Sequence, residues 1–378
     1  VRIVHYIEHL RFEDGGPVRA VIDLTEALAA KGHRLTVLAH DIKDAPAAWT
    51  ADDALPTAHL LPKPARGPWL APSQLGEARK LIAEADILHA HGIWVPAAAQ
   101  MASVARSVRT PYVVSIRGML DDWCMAQRAL KKKVYLALTG RRFLNNAAMI
   151  HLTAQAELDQ AKKHFSAPTT VIPNLMSLDP FEPLPGTAAA ESRFAELLAP
   201  GVPVLLFLSR IHYKKGIESL LEASAALTSK GVEHRVLIAG TGEDDYVRTL
   251  HARRDSINAR DAHFIGHITG TDKISLYQLA DLMVLPTSQE NFGFVFFEAL
   301  AAGTAVLTTK GVDTWPELEA SGGGFILPDA NADKLALRIE QLINDRTALQ
   351  AAGDKGRAWM FEHMSPTKLV DRFEKLYQ

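Results

Sequence analysis

Short apolar runs alternate with segments of helical period along most of the chain. Val1–Ile7 reads as a strand, and from Val18 the positions Val21, Ile22, Leu24, Ala27 and Leu28 recur on one helix face. Lys31-Gly32-His33 ends that helix with cations in its last turn, and Leu35–Ala39 supplies a second strand. Ile87–Ala90 is a further apolar run, followed by a helix over Val95–Val108, a strand over Pro111–Ile116, and a helix over Ala154–His164 between short strands at Met149–Leu152 and Thr170–Ile172. Residues 43–74, rich in Ala and Pro, read as an irregular excursion.

The second half repeats the pattern. Val204–Leu208 is a buried-type strand, Ile217–Ser229 a helix, Val236–Ala239 and His263–Ile265 strands, and a helix runs through Leu276–Ala280. Leu282–Leu285, a polar turn, a helix opening near Gly293 and the run Ala305–Thr308 then form one strand, turn, helix, strand unit. This alternation predicts an α/β protein with two doubly wound parallel sheets.

At 378 residues the chain exceeds what one core usually supports, and the four prolines of Pro173–Pro185 mark a boundary. We expect a first domain over 1–180, a linker over 181–200, a second domain over 201–362, and a closing helical segment over 363–378. That segment carries Leu369, Val370, Phe373 and Leu376 on one face, which needs a surface to bury it.

Composition narrows the function by exclusion. A formal charge of -2 argues against nucleic acid as the main partner. The single cysteine, Cys124, excludes a disulfide framework and a cysteine-based zinc site. Without eighteen consecutive apolar residues the chain is not expected to span a membrane, and a cytoplasmic location is expected. Arg128–Leu144, however, combines Lys131-Lys132-Lys133 and Arg141-Arg142 with Leu130, Val134, Leu136, Leu138, Phe143 and Leu144. Either it packs its apolar side on its own domain, or residues 128–144 meet an anionic membrane surface, at the inner face of the cytoplasmic membrane.

Candidate chemistry gathers after strands. Arg210 and Lys215 follow one, Gly240 and Gly242 a second, and Asn291-Phe292-Gly293 opens a helix after a third. Two cations, open backbone N–H groups and a helix N-terminus suit a diphosphate. Glu290 and Glu298 bracket that helix start; a carboxylate beside a diphosphate is costly unless it accepts from hydroxyls, which sugar or ribose supplies. They lie too far apart along the chain to flank one bond as a glycosidase pair does. In the first half, Gly15-Gly16 follows the opening strand without a Gly-x-Gly-x-x-Gly fingerprint, serving either a tight turn or a contact loop. His91 and Arg117 come from two successive strand ends on the same rim.

Together, Ser209-Arg210 with Lys215-Gly216, Ala239-Gly240-Thr241-Gly242, Phe264-Ile265-Gly266 and Glu290-x7-Glu298 resemble the retaining nucleotide-sugar glycosyltransferases of family 4, near the exopolysaccharide and O-antigen enzymes. The resemblance implies the GT-B fold, with two Rossmann-like domains facing a cleft, acceptor on the first, donor on the second, and the last helix crossing back to the first. It implies that Arg210 and Lys215 hold the donor diphosphate, Glu298 the ribose hydroxyls and Glu290 the transferred sugar. Asn291, Phe292 and Gly293 would touch sugar and phosphate, His267 and Ile268 would border the base, and Gly16 would approach the diphosphate. Gly15, His91 and Arg117 fall on the acceptor or sugar side. No metal or cofactor is implied, the two cations doing that work. The expected partners are a sugar nucleotide, with UDP, GDP or another diphosphate, and a saccharide acceptor, lipid-linked by the same resemblance. Arg117 stands where many members have histidine, which favours an anionic group or a phosphate contact there. Two other readings stay open: an epimerase or hydrolase of the same fold, and a non-catalytic sugar-nucleotide-binding protein.

Overall fold

The computed structural model describes residues 1–51, 56–64 and 67–378. It divides into two compact units, Val1–Met176 with Pro366–Gln378, and Ser177–Ser365.

The first unit opens with β1 (Arg2–Tyr6), α1 (Gly16–Ala30), β2 (Arg34–Ala39) and β3 (Thr57–Leu60). It continues with α2 (Gly76–Glu84), β4 (Ile87–His91), α3 (Pro96–Val108), β5 (Tyr112–Ser115) and α4 (Asp122–Ala126). Next come α5 (Ala129–Tyr135), α6 (Arg141–Asn145), β6 (Met149–Leu152), α7 (Gln155–Ala161) and β7 (Thr169–Val171). The second unit begins with α8 (Ala188–Arg193), β8 (Val204–Leu208), α9 (Ile217–Ser229), β9 (Arg235–Ala239) and α10 (Asp244–Ser256). It proceeds through β10 (Ala262–Gly266), α11 (Gly270–Leu279), β11 (Leu282–Leu285), α12 (Phe294–Ala301) and β12 (Val306–Thr309). α13 (Trp315–Ala320), β13 (Gly324–Leu327), α14 (Ala332–Ile343) and α15 (Arg346–His363) complete it, and α16 (Pro366–Leu376) returns to the first unit.

Both sheets are parallel throughout. Their orders are β3-β2-β1-β4-β5-β6-β7 and β10-β9-β8-β11-β12-β13. In each, the chain works outward on one side of its first strand and then restarts on the other. The strand order therefore reverses at β1/β4 and at β8/β11, and a parallel sheet opens a crevice beyond the carboxyl ends of such a strand pair. Strands with helices on both faces read as continuous apolar runs, as in the wholly apolar Val-Leu-Leu-Phe-Leu of β8.

α16 buries Leu369, Val370 and Phe373, giving the apolar face seen in sequence its surface. Lys31 pairs with Asp371 and His33 with Glu374, both at 2.8 Å, so α16 lies along α1. β3 lies in the stretch whose composition suggested irregular chain. Its Thr-Ala-His-Leu is half exposed at a sheet edge and carries little apolar signal. The basic stretch folds as α5, a π turn over Leu136–Gly140, and α6. Its apolar residues divide: Leu136, Phe143 and Leu144 are buried, while Leu130 and Leu138 are each 78% exposed and Val134 is exposed beside them. Lys132 turns inward, its Nζ over Trp94 and 2.9 Å from Cys124 Sγ, while Lys131, Lys133, Arg141 and Arg142 face solvent. No helix among the described residues is long and apolar enough to cross a membrane.

Candidate functional site

In the second unit the loops leaving β8, β9 and β11 are stitched together by backbone bonds. Ser209 N donates to Ala239 O, Ile211 N to Thr241 O at 2.7 Å, and Gly240 N to Gly266 O at 2.8 Å. Gly240 holds φ +146, and a Cβ there would stand 1.9 Å from the Ser209 carbonyl oxygen. Only glycine allows that approach. Gly242 forms a bridge with Ile211. The Tyr213–Lys215 turn is pinned to the β11 loop, where Ser288 N and the Thr287 hydroxyl donate to Lys214 O at 2.8 and 3.0 Å. Gly216, at φ +70, lets this turn pack on Pro286, whose oxygen a Cβ would meet at 2.1 Å.

These constraints carry Lys215 to Glu290. The Lys215 side chain is 5% exposed and its ammonium is ion-paired with a Glu290 carboxylate oxygen, directly beyond β8 and β11. Burial alone would raise the Glu290 pKa, but Lys215, then Lys214 and Arg210, outweigh it and hold the carboxyl below its ordinary range. Glu290 is therefore ionised at neutral pH and accepts hydrogen bonds without donating one. Its backbone is fixed by Glu290 N to Gly311 O at 2.8 Å and Asp313 N to Glu290 O at 3.0 Å. Arg210 is exposed on the same rim.

Asn291 donates to Asp313 at 2.9 Å, Phe292 is buried, and Gly293 caps α12 in a left-handed conformation. Glu298, inside α12, accepts from Lys273 Nζ at 2.7 Å and from the Tyr277 hydroxyl at 3.0 Å. The two carboxylates thus hold different cations, Glu290 with Lys215 and Glu298 with Lys273. Lys273 and Tyr277 carried no motif in the sequence; their spacing of four on α11 was the one available sign that both face the same way. His267 is exposed and Ile268 buried, just beyond β10. A cavity of about 640 Å³ lined by Glu196, Arg235 and Asp261 lies at the amino ends of β9 and β10, away from this edge.

In the first unit, Gly15 and Gly16 begin α1 and His91 ends β4. Arg117 follows β5 at a left-handed φ of 58°. His91 and Arg117 touch: Arg117 donates to His91 Nδ1 at 3.1 Å and to Asn174 Oδ1 at 2.5 Å. Gly15 and Gly16 share no hydrogen bond with them among the described residues.

Behind this pair lie three more buried histidines, His5, His89 and His151, which the motifs did not reveal. Because a guanidinium only donates, His91 Nδ1 must accept. Its Nε2 therefore donates to His5 Nδ1 at 2.9 Å. In a second chain, His151 Nε2 donates to the Ile172 carbonyl at 2.8 Å, so its Nδ1 accepts from the Ser115 hydroxyl at 2.6 Å. Ser115 then accepts from His89 Nε2 at 2.7 Å, and His89 Nδ1 accepts from the Tyr377 hydroxyl at 2.6 Å. All four rings are neutral. Burial, reinforced by Arg117, lowers His5 and His151 to about 3 and pushes His89 and His91 well below the ordinary histidine value. His5, His89 and His91 bring ring nitrogens within 4.8 Å of one another, a spacing that could suit a metal. In this pattern, however, every imidazole lone pair already accepts a hydrogen bond, and a guanidinium adjoins the trio.

Comparison with known proteins accounts for the repeated architecture. Residues 15–174 match the model for the glycosyl transferase 4-like domain, and residues 189–359 the model for glycosyl transferases group 1. The capsular polysaccharide biosynthesis glycosyltransferase CapM of Staphylococcus aureus is 28% identical over 196 residues, 50% of this chain and 48% of that protein. The chain thus spans about half the length of this relative. A GDP-mannose-dependent alpha-(1-6)-phosphatidylinositol monomannoside mannosyltransferase of Mycobacterium tuberculosis is 26% identical, over 88% of this chain and 86% of its own. Among solved structures, Anabaena Alr3699/HepE in complex with UDP superposes with a TM-score of 0.82 at 19% identity, covering 100% of this chain and 99% of that one. The lipopolysaccharide glycosyltransferase WaaG superposes at 0.73 with 17% identity, covering 100% and 99%. With one model on each side of the unit boundary and whole-chain superposition on such structures, the chain has the GT-B fold and is related to the glycosyl transferase 4-like and group 1 families.

Proposed function

We propose that this protein transfers a sugar from a nucleotide-diphosphate sugar to a saccharide hydroxyl with retention of anomeric configuration. The observation that carries the reading is the Lys215–Glu290 pair at the β8/β11 reversal, backed by the glycine-bearing loop Gly240–Gly242 and flanked by exposed Arg210. Arg210 and Lys215 take the donor diphosphate and stabilise the charge that grows as it leaves. Glu290, ionised, accepts from hydroxyls of the transferred sugar. Glu298, steadied by Lys273 and Tyr277, accepts from the ribose hydroxyls. The backbone of Asn291–Gly293 meets sugar and phosphate at the α12 N-terminus, and His267 and Ile268 border the base. Gly15, Gly16, His91 and Arg117 serve the acceptor or sugar side.

The acceptor hydroxyl attacks the anomeric carbon from the face the diphosphate is leaving. The carbon–oxygen bond to the phosphate breaks as the new glycosidic bond forms, and the departing phosphate oxygen takes the hydroxyl proton. Neither a protein nucleophile nor a metal enters this scheme. Isolation of a glycosyl ester on a carboxylate of this chain would overturn it.

A lipid-linked saccharide is the acceptor we favour, with the enzyme working at the inner face of the cytoplasmic membrane. Exposed Leu130, Val134 and Leu138 flanked by Lys131, Lys133, Arg141 and Arg142 suit an anionic bilayer surface. The mycobacterial relative acts on a phosphatidylinositol mannoside, by its name. The direct test is a panel of sugar nucleotides scored for binding and turnover, with Lys215→Ala beside the wild type. One donor that turns over and loses turnover in the variant supports the reading; a panel that fails with lipid-linked acceptors supplied sinks it.

A further inference from the structure

Arg117 is a buried cation, 8% exposed, and among the described residues no acid forms an ion pair or hydrogen bond with it. Its guanidinium bonds are to neutral acceptors, Asn174 Oδ1 and His91 Nδ1, and its Nε–H is buried without any partner. Glu157, the acid that acts on it electrostatically, is otherwise engaged. Its carboxylate accepts from Gly118 N at 2.5 Å, Thr153 N at 2.6 Å and the Thr153 hydroxyl at 2.9 Å. An arginine kept charged in such a place is costly unless an anion completes it.

Three features of the surroundings favour an anion from outside the chain. Arg117 sits beyond β5, next to the β1/β4 reversal, on the edge where parallel sheets take ligands. Its backbone is left-handed, at φ 58°, a conformation that non-glycine residues rarely hold away from functional sites, and its guanidinium reaches His91 at the β4 end. The polarity of the His91–His5 chain also fixes the guanidinium in place: His91 can only accept from it and cannot turn away without losing its own bond to His5. The histidines are therefore positioning residues, and the positive charge belongs to Arg117 alone.

We propose that Arg117 is a specificity-determining residue that receives a carboxylate or phosphate oxygen of the substrate, so that the saccharide handled by this enzyme is anionic. The inference rests on the glycosyltransferase reading and adds the substrate class to it. A uronic acid and a phosphate-bearing acceptor present the same oxygen-anion chemistry to a guanidinium, and the experiment separates them.

Two substrate pairs differing in charge are compared by kcat/KM in the wild type, Arg117→Gln and Asn174→Asp. The donor pair is a nucleotide-linked glucose against the same nucleotide-linked glucuronate. The acceptor pair is a saccharide on a short polyprenyl pyrophosphate against its allyl glycoside. Asn174→Asp leaves Arg117 in place and supplies the missing internal acid, so it keeps the test alive if the glutamine variant fails to fold. The wild type should prefer the charged member of one pair by about tenfold or more, and both variants should lose at least about tenfold more on that member than on its neutral counterpart. The pair that shows the effect identifies sugar carboxylate or acceptor phosphate. Equal losses on both members, or no preference in the wild type, overturn the inference and leave Arg117 a clamp between His91 and Asn174. Titration of nucleoside diphosphate into wild type and Lys215→Ala is run alongside. An enzyme that depends on Lys215 but is indifferent to Arg117 sinks this inference alone; turnover and binding both indifferent to Lys215 sink the glycosyltransferase reading and this inference with it.

Discussion

Acidification should unfold the first unit through its histidines. His5 and His151 have an ordinary pKa of 6.5 and are held at about 3, first by burial and then by Arg117. Between those values the unfolded chain binds a proton at each ring and the folded chain does not. Stability contributed by their neutral forms is therefore complete above the unfolded value and is lost as pH falls below it, down to about 3. Going from about pH 7.5 to about pH 5 costs about 2 kcal/mol per ring, or about 4 kcal/mol for the two, by proton linkage. His89 and His91 are lowered as well and add with the same sign. A loss of this size is a large part of the roughly 5–15 kcal/mol that holds a domain together.

The assay is urea unfolding at a series of pH values for the wild type and His5→Asn, whose side-chain oxygen still accepts from His91 but does not titrate. The difference between the two curves cancels groups elsewhere in the chain. The variant should lose about 2 kcal/mol less over the interval. Histidine ring proton shifts, followed by NMR, should stay at neutral-form values for His5 down to about pH 5. Parallel curves for the two proteins, or a His5 ring that titrates near its ordinary value, would refute the neutral hydrogen-bond chains.

Three further outcomes are expected. Gly240→Ala places a methyl group against the Ser209 carbonyl at a φ that side chains avoid, and should cost about 2 kcal/mol or more of stability in a thermal melt; an unchanged melt would mean the loop is not held as described. Lys273→Met frees Glu298 from its cation while leaving Tyr277, and should raise the donor KM about tenfold with a smaller change in kcat; an equal fall in kcat with KM unchanged would place Glu298 in the chemical step instead. Lys131→Glu with Lys133→Glu should weaken binding to vesicles containing anionic lipid by about tenfold or more, at about 1 kcal/mol per cation near the surface. Binding by the wild type that is the same on neutral vesicles would remove the membrane reading.

Local pattern was enough to find most of the fold. Val204–Leu208, Ile217–Ser229, Leu282–Leu285 and Met149–Leu152 are the observed elements to the residue, because a strand buried on both faces or a helix packed on one writes its burial into consecutive positions. The same locality put Arg210, Lys215, Gly240 and Glu290 on the loops that leave β8, β9 and β11, since each loop follows an apolar run that marks its strand. β3 escaped because an edge strand needs only one partner and little apolar surface.

What the linear chain could not express is who meets whom. Tyr377 reaches His89 across 288 positions, His91 meets His5 across 86, and Glu298 takes Lys273 across 25. Arg117 could be read as a cation at a strand end, but its isolation from acids came only with packing, when Glu157 turned to the Gly118 and Thr153 backbone. The split of the basic stretch into buried Leu136, Phe143 and Leu144 and exposed Leu130, Val134 and Leu138 was likewise a tertiary decision. Hydrophobic period is set by a residue's neighbours in sequence and survives without the fold. The charge state and hydrogen-bond direction of a buried polar group depend on partners that only the assembled sheet delivers, so they were settled when the fold closed.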